Sequence, residues 1–336
     1  MRVLRVEGPG RIGFRDAPVP EPQAGEALLE VRCCGICGSD VAVYLGEQPF
    51  ASYPRVPGHE FSARIVRMNG SRPGFEDGML VTANPYFNCG SCYACRKGRI
   101  NCCESNQTMG VHRDGAFAQY LTMPLGRLHD GRGLAERTLA LVEPFSIGWH
   151  AVNRTGVSRG DNVLVIGAGP IGLFALVAAA LRGGRVHVAD LLDRRLELAR
   201  SLGAESAIDA GTEDLARRVK EITGSAGMDV CLEAVGLPQT FLQCLESACF
   251  GGTVVLIGHS KREVSFNHAL IVRKELTIHG SRNSLHEFDP LIRMLVAGEV
   301  VVDAIVTHVF DLHDAVGAFE ALENNDGSMG KVLVRF

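Results

Sequence analysis

The sequence predicts an α/β chain in two parts, a β-barrel-like part followed by a doubly wound parallel sheet. Three observations carry that expectation. Through about residue 90, Gly and Pro punctuate short alternating runs such as Ala27-Leu28-Leu29-Glu30-Val31-Arg32, the pattern of short strands joined by turns. After Glu143, strand and helix patterns alternate for about 120 residues, as in a parallel sheet covered by helices. The turn Gly167-Ala168-Gly169-Pro170-Ile171-Gly172 stands between the first of those strands and a helix. A length of 336 residues suits two domains of roughly 150 each.

Apolar residues make up 46% of the chain and charged ones 21%, an ordinary globular balance. A formal charge of −4 without a Lys/Arg stripe argues against nucleic acid or an anionic membrane as the partner. The first residues, Met1 to Gly8, hold no apolar run of the kind that marks secretion. The longest apolar run, Leu173 to Leu181, falls well short of the ~20 residues that span a bilayer. A cytoplasmic protein is expected. Disulfides are disfavoured there, and most of the 11 cysteines lie in two clusters, at 33–37 and 89–103, which points to metal.

In the first part, Cys33-Cys34-Gly35-Ile36-Cys37-Gly38-Ser39-Asp40 leads into a short helix expected over 41–45, which Ser39 or Asp40 would cap. Pro57-Gly58-His59-Glu60 follows. Neighbours on a regular strand point to opposite faces, so His59 and Glu60 can serve one ion only where the backbone is irregular. Gly58 is where that irregularity is expected. Cys89-x2-Cys92-x2-Cys95-x7-Cys103 can wrap four thiolates around one zinc. Such a closed site has no place for substrate, so it is structural, and Cys102 is spare.

In the second part, strands are expected at 162–167, 185–189, 229–233, 253–257 and 275–279. Helices are expected from the glycine turn to about Leu181, at 213–222 and at 238–248. Gly167, Gly169 and Gly172 allow a tight turn and close approach of backbone to a pyrophosphate, which sits on the helix N-terminus opened by Pro170 and Ile171. Asp190 would accept hydrogen bonds from ribose hydroxyls and repel a 2′-phosphate, favouring NAD over NADP. Arg194 and Arg195 keep the phosphate reading open. Cys231, Cys244 and Cys249 read as small buried apolar groups. Helices at 289–298 and 312–323 and a strand at 331–336 end the chain.

These motifs and their order resemble the zinc-dependent medium-chain dehydrogenase/reductase family, from about residue 20 onward. The resemblance rests on Cys37-Gly38-Ser39-Asp40, Pro57-Gly58-His59-Glu60, the four-cysteine loop, Glu143-Pro144 and the glycine turn. It implies a GroES-like barrel as catalytic domain (1–148), a Rossmann NAD-binding domain (149–283) and a returning catalytic segment (284–336). It also implies two zincs per chain, a catalytic one at Cys37, His59, Glu60 and Glu143 and a structural one at Cys89, Cys92, Cys95 and Cys103. Glutamate at 143, where simple alcohol dehydrogenases have cysteine, resembles the sorbitol, threonine and sugar-alcohol branch. There this carboxylate can hold zinc through water, so Glu60 and Glu143 are expected to share the third ligand place.

The reaction so implied is hydride transfer from a secondary hydroxyl of a polyol or sugar acid to NAD. Ser39 is the hydroxyl expected to take the substrate's proton. Many relatives pass it on through a histidine three residues later, but this chain has Ala42 there, so water or Glu143 through water must substitute. For a substrate carboxylate the candidates are Arg282, Arg113 and Lys274, with Arg282 preferred because it follows a sheet strand and arginine binds carboxylates bidentately. His112 is a candidate for a substrate hydroxyl. For Trp149 and His150, core packing or a subunit contact reads at least as well as a substrate contact. A homodimer or homotetramer is implied. The rivals are a threonine or simple secondary-alcohol dehydrogenase, a zinc-free relative, and a non-enzymatic zinc module for nucleic acid.

Overall fold

The computed structural model describes residues 1–259 and 262–336, in two units: Met1–Glu143 with Leu285–Phe336, and Pro144–Ser284. The first unit opens with an antiparallel pair, β1 (Arg2–Gly8) and β2 (Arg11–Asp16). Its main sheet is built on β3 (Glu26–Ile36), which pairs antiparallel with β4 (Glu60–Asn69). The sheet continues through β5 (Leu80–Ala83). A small ribbon of β6 (Tyr86–Phe87) and β7 (Gln107–Thr108) stands apart from it. β8 (Tyr120–Pro124) pairs with β3, and β9 (Leu128–Asp130) with β5. Ala27, Leu29 and Val31 of β3 are buried in the core of this unit.

The second unit holds six parallel strands: β10 (Asn162–Ile166), β11 (Arg185–Asp190), β12 (Ser206–Asp209), β13 (Met228–Glu233), β14 (Ala248–Leu256) and β15 (Thr277–Gly280). Their order, β12-β11-β10-β13-β14-β15, is the doubly wound one, with its switch point beside β10. Gly172 is required at the first crossover, because a Cβ there would lie 1.8 Å from the carbonyl oxygen of Gly167. Two details depart from the sequence reading. β12 is an unforeseen strand of four residues at the sheet edge, too short for alternation to mark it. The strand expected from Glu275 starts at Thr277, because Glu275 (φ 52°) ends an unforeseen helix, Ala269–Lys274.

The chain then returns to the first unit. The helix Ala315–Glu323 buries Phe319 edge-on against Tyr44 and Phe117. β16 (Val306–Asp311) runs parallel to β17 (Lys331–Arg335), and β17 pairs antiparallel with β3, Val332 opposite Ile36. That register sets Lys331 beside the end of β3. Among the described residues no helix is long and apolar enough to cross a membrane.

Candidate active site and metal centres

Where β3 ends, Cys37 becomes the N-cap of the helix Gly38–Leu45, which starts earlier than the expected 41. Asp40, in its first turn, accepts from the Cys37 amide at 2.9 Å and from the Gly58 amide at 2.8 Å. Its Oδ1 also stands 3.5 Å from Nδ1 of His59. One buried carboxylate therefore fixes the backbone at both motifs and stands beside the imidazole. Burial pushes Asp40 up, but His59 and the two amides outweigh it, so it stays below the ordinary carboxylate range. Burial likewise pushes His59 down, and Asp40 reverses that to well above the usual imidazole value. The sequence offered Asp40 only as a cap; its second role needed the fold.

Gly58 has φ 99°, and a Cβ on it would meet the Phe117 ring at 2.7 Å and Cys34 Sγ at 2.9 Å. This is the expected irregularity, and it lets His59 and Glu60 turn to one side. Cys37, His59 and Glu60 each offer a ligand atom within 4.8 Å of the others. A thiolate, an imidazole and a carboxylate suit zinc, and three donors leave one place open. Ser39, half-buried, is the second residue of the same helix and not its cap.

Glu143 stands outside that triad of converging atoms and accepts a hydrogen bond from the Tyr86 hydroxyl. Burial pushes its carboxyl up to about 7; His59 opposes this, Glu60 adds to it, and Tyr86 and Lys331 oppose it. Glu60 in turn is ion-paired with Lys331, which is equally buried. Tyr86 and Lys331 were not foreseen. Neither belongs to a motif; Lys331 reaches the site through the pairing of β17 with β3, and Tyr86 from the small β6–β7 ribbon.

The four-cysteine loop brings Cys89, Cys92, Cys95 and Cys103 within 4.8 Å of one another. The Cys92 amide donates to Cys89 Sγ and the Cys89 amide to Cys103 Sγ, both at 3.3 Å. The amides of Cys92 and Ser91 hold the Cys89 thiol down to about 6, while burial lifts Cys95 to about 11. Four thiols that share amide donors fit a closed tetrahedral zinc. Cys102 lies exposed outside the group.

In the second unit, Gly167 has φ 101°, Gly169 is the N-cap of the helix Pro170–Leu181, Pro170 opens it and Ile171 follows. Asp190 Oδ2 accepts from the Ala168 amide at 2.7 Å, and Oδ1 from the amides of Leu191 and Leu192. It thus clamps the glycine turn to the end of β11. Arg195 lies 3.8 Å from Asp190, so the two are partners rather than separate cofactor contacts.

The remaining candidates are placed as follows. Arg282 is exposed just beyond β15. His112 is exposed, accepts from the Thr108 amide at Nδ1 and stacks on Phe50. Arg113 lies 3.7 Å over the Phe87 ring. Lys274 is a correction: its ammonium is buried and donates to the carbonyls of Leu245, Glu246 and Ala248, so it is not placed for a substrate. Trp149, half-buried, packs on Phe145 and under the Arg182 guanidinium.

Comparison with known proteins agrees with this geometry. Residues 23–131 match the family model for the alcohol dehydrogenase GroES-like domain, and 170–297 that for zinc-binding dehydrogenases. L-galactonate-5-dehydrogenase of Escherichia coli is 34% identical over 100% of this chain and 99% of its own length. L-threonine 3-dehydrogenase of Shewanella frigidimarina is 32% identical over 96% of this chain and 95% of its own. Among solved structures, an Escherichia coli alcohol dehydrogenase complexed with NADH superimposes with a TM-score of 0.93 at 31% identity, over 100% of this chain and 99% of that one. Two metal-ligand groups, a doubly wound sheet with its glycine turn and full-length similarity converge on one conclusion: the chain belongs to the zinc-dependent medium-chain alcohol dehydrogenase family and is an oxidoreductase.

Proposed function

We propose that this enzyme oxidises a secondary hydroxyl of a polyol or sugar acid, of L-galactonate type, with NAD as acceptor. The observation that carries the reading is the convergence of Cys37, His59 and Glu60 within 4.8 Å, with Glu143 tethered to Tyr86 beside them. A zinc ion held there supplies Lewis-acid polarisation of the substrate oxygen, and NAD supplies the hydride acceptor. Cys37 and His59 would be the zinc's constant ligands, with Glu60 and Glu143 sharing the third place. Asp40 holds the His59 ring in its ligating orientation.

Ser39 Oγ takes the substrate's proton, and without an imidazole at Ala42 the proton leaves by water or by way of Glu143. Gly167, Gly169, Pro170, Ile171 and Gly172 seat the pyrophosphate. Asp190 faces the ribose, and its negative charge disfavours a 2′-phosphate, with Arg195 as its partner. Arg282 is assigned to the substrate carboxylate and His112 to a hydroxyl. The protein is read as a cytoplasmic homodimer or homotetramer, which suits eleven cysteines that are all free.

A threonine substrate is the second reading, favoured by a threonine dehydrogenase nearly as similar as the galactonate enzyme. A panel of polyols, aldonates, threonine and simple alcohols, read by NADH absorbance, tests both. The polyol or aldonate members should give the highest kcat/KM. Turnover confined to threonine or simple alcohols overturns the sugar-acid reading.

A further inference from the structure

A cavity of about 380 Å³ in the first unit is floored by Val3, Val56, Met109, Leu121 and Met123, all of them buried. None of Cys37, Ser39, His59, Glu60 and Glu143 lines it. Its volume falls in the range of small-molecule sites, roughly 300–1,000 Å³, which are mostly apolar with a few placed polar groups. Arg5, Arg113 and Asp114 are the charged residues that line it. Arg5 is paired with Glu7 at 2.8 Å and Asp114 with Arg55 at 3.1 Å, so both are answered within the protein. Arg113 is not. Among the described residues no carboxylate pairs with it, and its exposed guanidinium lies 3.7 Å over the ring of Phe87, which also lines the cavity. Arg127 stands 4.3 Å over the same ring, and its partners are the Tyr86 carbonyl and the Asn88 side-chain oxygen, both neutral. Burial, and then the charge of Arg113, hold Arg127 below the usual guanidinium value, so the two cations feel each other. An apolar floor thus meets a cationic edge that no anion of the protein balances.

We propose that this cavity is a binding site, separate from the metal centre, for an organic monocarboxylate with an apolar body of roughly ten carbons. The apolar body fills the cavity and leaves water, and the carboxylate lies against Arg113, whose fork can take both oxygens. Phe87 already holds that guanidinium by stacking, so little side-chain freedom is lost on binding. A neutral head leaves the guanidinium unanswered, a cationic head is repelled by it, and a short acid leaves the floor unfilled. Arg113, a candidate for the substrate carboxylate by sequence, thereby belongs to a different ligand. The site is independent of the reaction proposed above, and its failure would leave that reading untouched.

The test is calorimetric titration of decanoate into the full-length, zinc-loaded enzyme, with decanamide, decyltrimethylammonium and butyrate as comparison probes. One decanoate per chain should bind with a Kd of roughly 10–100 µM. Each comparison probe should bind at least about tenfold more weakly. Arg113→Gln should weaken decanoate about tenfold and leave decanamide as it was, a split that a general loss of structure would not produce. Thr122→Phe places a ring in the cavity from a half-buried position on β8. It should abolish decanoate binding, with substrate and NAD kinetics as in the parent. Decanoate bound as tightly in Arg113→Gln overturns the proposal, because its head then lies elsewhere, at the metal centre for instance. Binding that survives in folded Thr122→Phe overturns it too. So do equal affinities for decanoate and decanamide, which would mean an adventitious apolar contact only, and absence of binding up to about 1 mM. Should Thr122→Phe not fold, the exposed Arg113→Gln decides alone.

Discussion

Replacing Lys274 by methionine separates a structural lysine from a substrate-binding one. Its ammonium donates to the carbonyls of Leu245 at 3.1 Å, Glu246 at 2.8 Å and Ala248 at 2.6 Å, at the end of the helix Pro238–Ser247. Helix ends leave carbonyls without an intrahelical partner, and here one buried cation serves three of them. Methionine keeps most of the volume and removes every donor. Each carbonyl left buried and unpaired costs about 1–3 kcal/mol, and release of a buried ammonium offsets part of that, so a net loss of about 3–4 kcal/mol is expected. The chain's single tryptophan, Trp149, lies in the same unit, so its fluorescence follows unfolding of that unit in urea. With a slope of about 2 kcal/mol/M the midpoint should fall by about 1.5–2 M. kcat and substrate KM of the folded enzyme should not change. A midpoint within about 0.3 M of the parent, or a raised substrate KM at full stability, would refute the reasoning and return Lys274 to the list of substrate contacts.

Metal analysis should find about two zincs per chain, falling to one in Cys37→Ser with loss of activity, and to one in Cys89→Ser with loss of stability. One zinc in the parent would contradict one of the two assignments. Glu143 predicts a pH dependence of the metal-depleted protein. Its folded pKa, raised from 4.5 to about 7, makes its contribution fully present below pH 4.5 and lost as pH rises through about 7, worth about 3 kcal/mol. The stability difference between parent and Glu143→Gln, measured by urea unfolding in chelator at pH 5 and pH 8, should move by that amount, and a constant difference would exclude it. Asp190→Asn should raise the KM for NAD and reduce the preference for NAD over NADP about tenfold, or 1.4 kcal/mol. Unaltered cofactor kinetics would limit Asp190 to its clamp on the Ala168 amide.

What could be read in the sequence is what local spacing encodes. Four cysteines within fifteen residues must lie close together, and the structure brings Cys89, Cys92, Cys95 and Cys103 within reach of one ion. The glycine turn was visible because the strand before it and the helix after it have different periods. Gly58 was visible because adjacent donors cannot face one way on a regular strand. Other contributions depend on pairing between distant segments. Lys331 meets Ile36 across 295 residues, set by the register of β17 on β3, and Tyr86 meets Glu143 across 57. Lys274 was misjudged for a related reason. A lysine's charge suggests an anion, whereas the backbone carbonyls that hold it carry no sequence signal.

Asp40 is committed to two backbone amides and faces His59, Glu143 accepts from Tyr86, and Glu60 is paired with Lys331. Each of these carboxylates thus has a partner in the protein. Lys331 reaches Glu60 only when β17 lies against β3, so the last strand places a cation beside the converging donors Cys37, His59 and Glu60. Closing the sheet and pairing the Glu60 carboxylate are therefore one structural event. A substitution that loosened the pairing of β17 should first be felt as altered metal retention, before the unit as a whole unfolds.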